Sequence, residues 1–129
     1  MIIVAHGIDL VETARIRSIL NRHPDRFLDR ILTDTERRTA EKFKDPVPHI
    51  AGRFAAKEAI LKVLGTGWRG QIAWRDMEIT NDGLGGPVVS LAGHCAQVAR
   101  RRGITRILIS ITHTAEHAAA SAIGTGSEG

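Results

Sequence analysis

The sequence predicts a single α+β domain in which a largely antiparallel sheet packs against one long helix and several shorter ones. Three observations carry this expectation. An Ala-rich stretch from His49 to Leu64 has the signals of one long helix, short β-branched runs lie at the N-terminus and in the second half, and no regular strand-helix-strand alternation links them.

Taken in order, Ile2 to Ile8 is rich in β-branched residues and reads as a first strand, with Gly7 leaving room for a close approach to the backbone. From Leu10 to Asn21 the residues Ile16, Ile19 and Leu20 fall at helical spacing, which sets Asp9 where a strand gives way to a helix N-terminus. Pro24 ends or kinks that helix, and Phe27, Leu28, Ile31 and Leu32 make a short second one. Thr33-Asp34-Thr35-Glu36 matches a capping box, in which the Thr33 hydroxyl takes the N3 amide and Glu36 reaches back. A third helix should run from there to about Lys44, before Asp45-Pro46-Val47-Pro48 breaks the chain.

The long helix follows from His49, with Ile50, Phe54, Leu61 and Leu64 along one stripe and Gly65 as its C-terminal stop. Met77 to Thr80 and Val88 to Leu91 read as a hairpin around the glycine-rich turn Asn81 to Gly86. Ala92 to Arg102 is a helix closed by Gly103, and Arg106 to Thr112 and Ala118 to Ile123 are two further strands. Residues 1–123 then form the domain, and 124–129 a flexible tail.

Composition limits the function. At 129 residues, 43% apolar and 25% charged, the chain has the make-up of one globular domain rather than a disordered or fibrous segment. Its longest apolar runs, Met1 to Ala5 and Ile107 to Ile111, are too short for a membrane span, and no signal-like segment opens it, so a cytoplasmic protein is expected. Cys95 is the only cysteine, which rules out an internal disulfide and a Cys-rich zinc site. Eighteen Lys and Arg against fourteen Asp and Glu give a net charge of +4, concentrated in Arg15 to Arg38 and Arg100 to Arg106. An anionic partner is compatible with that excess, and so is plain solubility.

The densest polar constellation lies on the long helix, in Gly52-Arg53-Phe54-Ala55-Ala56-Lys57-Glu58-Ala59-Ile60-Leu61-Lys62. Arg53 and Lys57 are four apart, as are Glu58 and Lys62, so one acid is ringed by three bases beside small residues that let a ligand or another backbone come close. A solvated helix face explains the charges alone; the small residues favour an anion. Asp9 and Glu58 are the two acids to pair across space. Two carboxylates with water suit a hard cation such as magnesium, which completes its shell with phosphate oxygens, while Arg53, Lys57 and Lys62 take the remaining phosphate charge.

Four blocks in order extend this reading. Gly7-Ile8-Asp9-Leu10-Val11-Glu12 with Arg15-Ile16, Arg30-Ile31-Leu32-Thr33 with Glu36, Ala51 to Lys62 closed by Gly65-Thr66-Gly67, and Ser110-Ile111-Thr112-His113-Thr114 resemble the holo-acyl-carrier-protein synthase family of phosphopantetheinyl transferases, from Gly7 to about Ile123. The resemblance implies the 4′-phosphopantetheinyl transferase fold, and transfer of the phosphopantetheine arm of coenzyme A to a serine of acyl carrier protein. Asp9 and Glu58 would hold Mg2+, with Mn2+ as the alternative, and Asp9, Glu58 and Lys62 would be catalytic. Coenzyme A would be bound by Arg53, Lys57, Lys62, Gly65, Gly86, Pro87 and His113. Similar proteins form homotrimers with the coenzyme between subunits, so Arg53, the Gly86-Pro87 loop and His113 would reach it from a different chain than Asp9. Glu36 and a metal-bound water are the candidates to take the serine proton, with the capping role competing for Glu36.

Two departures from the family pattern stand out: His6, next to the strand glycine, and the stretch Arg69 to Trp74. Arg15, Arg22 and Arg26, spaced by seven and four, would line one side of a continuous helix and offer an acidic carrier protein a docking edge. His113 and His117 are four apart, but in a strand that spacing makes no helical zinc pair; His113 suits a phosphate contact and His117 a structural role. Nucleic-acid binding is disfavoured because tyrosine is absent and aromatics are 4%. A non-catalytic phosphate-ligand module is the other alternative.

Overall fold

The structure, a computed structural model, describes residues 1–65 and 73–128. The Thr66-Gly67 end of the third block and nearly all of the unmatched stretch before Trp74 lie outside the described residues.

Strand β1 (Ile2–Glu12) leads into helices α1 (Thr13–Arg22), α2 (Pro24–Ile31), α3 (Asp34–Ala40) and α4 (Val47–Leu64). After a 3-10 turn at Trp74–Asp76 come β2 (Met77–Asn81), β3 (Pro87–Leu91), α5 (Gly93–Arg101), β4 (Arg106–His113) and β5 (His117–Gly126). The main sheet has the order β1-β5-β4, and β2 and β3 form a separate hairpin; every pairing among the described residues is antiparallel. The expected α+β architecture is present, with α4 laid across one face of the three-stranded sheet.

Three glycines set how close α4 comes to that sheet. A Cβ on Gly7 would overlap the Ala59 carbonyl oxygen and Lys62 Cβ, one on Gly52 would meet Ile111, and one on Gly124 would meet Val63. The room for a close approach read at Gly7 is therefore used by α4 itself.

Besides the starts of α1 at Thr13 and of α4 at Val47, the latter inside the expected break, four features differ from the sequence reading. β1 does not stop at Ile8 but stays paired with β5 as far as Glu12, opposite His117. Asp9 therefore lies inside the strand, not at a helix N-terminus. The physical reason is a period of two: Gly7, Asp9 and Val11 turn inward while His6, Ile8, Leu10 and Glu12 turn outward. α3 ends at Ala40 rather than near Lys44. β5 continues to Gly126, so residues 124–126, read as the start of a tail, are paired with β1. The fourth difference concerns α4, which is buried on every side rather than along one stripe. Its only residues not buried are Pro48, His49, Glu58 and Lys62. Such a helix is central, enclosed by the sheet and by neighbouring helices, and its few uncovered positions do not form a continuous polar stripe.

Candidate functional site

The first part of the site is the acid pair. Asp9 occupies an inward position on β1 between buried Gly7 and Val11. Because Gly7 lets α4 close in, Lys62 crosses to β1, where its Nζ donates to the Ile8 carbonyl at 2.7 Å and stands 3.4 Å from Asp9 Oδ1. Glu58 is one turn back on α4 and half-buried. Its carboxyl is held above the ordinary carboxylate range, first by burial and then by the negative charge of Asp9, while Lys62 and Arg15 pull it back. The two acids paired from sequence thus sit in each other's field. Among the described residues no group of three or more His, Cys, Asp or Glu side chains gathers around a single point. Two carboxylates that repel each other, with no third ligand, fit a hard divalent cation that fills its shell from water and ligand oxygens.

Lys57 does not share this role. Its side chain is wholly buried and its Nζ donates to the Ile31 carbonyl at 2.6 Å, to Glu36 Oε1 at 2.7 Å and to the Trp74 carbonyl at 3.3 Å. The expectation that Lys57 touches phosphate is therefore replaced by a structural one: reaching a ligand would mean breaking a closed set of interior bonds. Burial pushes the Lys57 ammonium down from its ordinary value, and Glu36 draws it back up. Glu36 is equally enclosed. It completes the capping box with Thr33 and also accepts from the Ile79 amide at 2.9 Å, so α3, α4 and the β2-β3 hairpin meet on one carboxylate, with the Trp74 turn joined to them through Lys57.

The second part is a cavity of about 170 Å³ between α4, the hairpin and the end of β4, lined by His49, Arg53, Asn81, Gly85, Pro87 and His113 with Ile111. Arg53 and His113, both expected to contact the ligand, meet here. Arg53 is buried and its Nη2 reaches Asn81 Oδ1 only at 3.5 Å. Pro87 lines the cavity as expected, together with Gly85, whereas the Gly86 amide is turned to Asp82 Oδ1 at 2.9 Å. Gly85 adopts φ 84°, which favours glycine.

The remaining expected residues are spread around these two centres. Gly65 ends α4 in the left-handed region, φ 76°, and its open side is filled by the Arg102 guanidinium. Arg15 lies 5.9 Å from the Phe54 ring centroid, and its charge acts on Glu58. Arg22 is in the last turn of α1, while Arg26 belongs to α2 beyond the break at His23, so the three arginines do not run along one helix. His6 points to the outer face of β1, opposite Ile123, and not toward the side that carries Asp9. His113 ends β4 and His117 begins β5, at the two sides of a turn rather than on a helix.

His49 and Asn81 were not anticipated. The signal for His49 was present, since it precedes Arg53 by four residues on the same helix. It was obscured by the Pro-rich break just before it. Asn81 could not be found from spacing, because only the folded hairpin brings it to α4.

The chain matches the model of the 4′-phosphopantetheinyl transferase superfamily over residues 5–120. It is 48% identical over 124 residues to holo-[acyl-carrier-protein] synthase of Desulforudis audaxviator, covering 96% of this chain and 94% of that one. It is 46% identical over 122 residues to the synthase of Caldanaerobacter subterraneus, covering 95% and 94%. Among solved structures, the acyl carrier protein synthase of Plasmodium yoelii with ADP bound superposes with a TM-score of 0.89 at 33% identity, covering 98% of each chain. The Helicobacter pylori synthase in complex with coenzyme A gives 0.82 at 30% identity, covering 94% of this chain and all of that one.

Proposed function

This chain belongs to the 4′-phosphopantetheinyl transferase superfamily, and from that premise we propose that it transfers the 4′-phosphopantetheine group of coenzyme A to a serine of apo-acyl carrier protein, releasing adenosine 3′,5′-bisphosphate. The observation that carries the reading is the Asp9–Glu58 pair beneath Lys62, formed by two of the segments that resemble the synthases.

In this reading Asp9 and Glu58 hold a divalent cation, Mg2+ or alternatively Mn2+, which when bound supplies charge neutralisation at the coenzyme pyrophosphate. Lys62, half exposed and already turned toward Asp9, presents its ammonium to the same phosphates. The serine hydroxyl attacks the β-phosphorus in line, and the chain's contribution is position and fixed charge rather than covalent chemistry. Glu36 does not take the serine proton here, because both of its oxygens are engaged inside the protein. A water at the acid pair is the remaining acceptor.

The Arg53 and His113 cavity holds phosphate charge of the coenzyme, with the hairpin at Gly86-Pro87 and the α4 end at Gly65 beside it. Arg15, Arg22 and Arg26 face an acidic carrier protein. A homotrimer is part of the proposal and is supported by the outer face of the main sheet, where Ile8 is 63% and Leu10 66% exposed alongside Leu108 and Ile123. Exposed apolar side chains grouped on a sheet face call for a covering surface. Subunits meeting there would let one copy's cationic cavity serve its neighbour's acid pair. The cytoplasm is the proposed site of action, where the lone buried Cys95 stays reduced.

The test is incubation with coenzyme A, magnesium and apo-acyl carrier protein, read by intact mass. A carrier gaining one phosphopantetheine arm supports the reading, and a protein that binds coenzyme A but leaves the carrier mass unchanged is a binding module instead. Asp9→Ala and Glu58→Ala should each abolish the gain.

A further inference from the structure

His49 lines the cationic cavity, and nothing in the proposed transfer accounts for it. Its ring is stacked on Phe43 with centroids 4.5 Å apart and 24° between planes, which fixes the imidazole in place. Its Nε2 is shielded from solvent and has no hydrogen-bond partner, the one such buried side-chain atom among the described residues. An orphaned buried polar atom is a cost to the folded state, since it has given up water without gaining a partner. A fold carries that cost without loss where a bound group completes the bond.

The surroundings say what that group is. Arg53 follows one turn later on α4, His113 comes from the end of β4, and Asn81 from β2; among the described residues no carboxylate lines the cavity. A site lined by cationic and neutral donors suits an anion. The imidazole is itself neutral near pH 7, because burial, Arg53 and His113 push its pKa down to about 4. A neutral imidazole keeps one N–H, and an anionic oxygen, which only accepts, selects the form with the proton on Nε2.

We propose that His49 is a specificity-determining residue that donates from Nε2 to a monoester phosphate, which, resting on the transferase reading, is the 3′-phosphate of coenzyme A. Coenzyme A bears one monoester phosphate; its pyrophosphate is a diester. His49 thereby selects coenzyme A over its dephospho form, which lacks the group.

The experiment compares wild type with His49→Phe, which keeps an aromatic ring on Phe43 and removes both nitrogens. KM and kcat are measured for coenzyme A and dephospho-coenzyme A. A hydrogen bond to a charged group implies that His49→Phe raises the KM for coenzyme A about tenfold or more, and raises that for dephospho-coenzyme A less than twofold. The melting temperature of the unliganded variant should equal or exceed that of wild type, since an unsatisfied polar atom is gone. His49→Gln, which keeps a donor at similar reach, should recover part of the discrimination. Equal losses on both substrates, or none, would overturn the proposal, as would a lowered melting temperature with uniform loss, which marks a packing role. Absence of any transfer by wild type would instead overturn the transferase reading and leave binding of 3′,5′-ADP, lost in His49→Phe, as the measure of His49.

Discussion

The knot around Lys57 and the acid pair beneath Lys62 are built on one helix from the same residue types, and they differ in access to water. Lys57 and Glu36 are sealed from solvent, oppositely charged and saturated with hydrogen bonds. Asp9 and Glu58 are alike in charge and partly open, and among the described residues Lys62 and Arg15 offset the charge on Glu58. A closed, neutralised group of charges holds elements together, whereas an open, unbalanced one has room for a cation. Five residues along α4 are enough to pass from one to the other, because Glu58 and Lys62 lie four apart at uncovered positions while Lys57 and the residues around them are buried.

Breaking the closed knot should have the largest effect on stability. Lys57→Met leaves Glu36 buried without its counter-charge and should cost roughly 3–5 kcal/mol, read from urea denaturation midpoints. Lys62→Met at the open edge should cost less than about 1 kcal/mol. Equal costs at the two positions would erase the contrast.

The open pair should respond to a cation and to pH. Saturating magnesium at about ten times its dissociation constant should raise the melting temperature of wild type by roughly 5 °C. Asp9→Asn, which removes one ligand and the like charge, should abolish the rise. Because the Glu58 carboxyl is raised in the folded state, its contribution to stability without metal is present at low pH and is lost as pH rises through its titration. Asp9→Asn should reduce that loss. A melting temperature insensitive to magnesium at every pH would remove the pair as a metal site.

The smallest effects concern the arginines outside both regions. Arg22→Glu should raise the KM for carrier protein about fivefold while sparing coenzyme A, a change of the size expected for a surface charge. Arg15→Glu should disturb both, because the Arg15 charge also reaches Glu58. Identical kinetics for the two variants would separate Arg15 from the acid pair.

Much of this was legible from local signals. The capping box at Thr33 and Glu36, the stop at Gly65 and the hairpin about residues 81–86 appear where the residues imply them, and the charge of Asp9 acts on Glu58. Lys57 could not be separated from Lys62, since spacing reports which face of a helix a residue occupies and not what covers that face. In α4 every face is covered except at His49, Glu58, Lys62 and the adjoining Pro48. The inward turn of Asp9 was written in the alternation of β1, but the helical spacing of Ile16 and Ile19 just downstream obscured where the strand ended.

By itself, the sequence determined the order and type of the elements, the close approach at Gly7 and the two acids, because turn chemistry, caps and periodicity act over a few residues. Tertiary structure alone decided which lysine is interior, which arginine joins His49 and His113 around a cavity, and which sheet face is left open. Those properties depend on desolvation and on charges brought together from distant parts of the chain, and neither exists until the helix lies on the sheet.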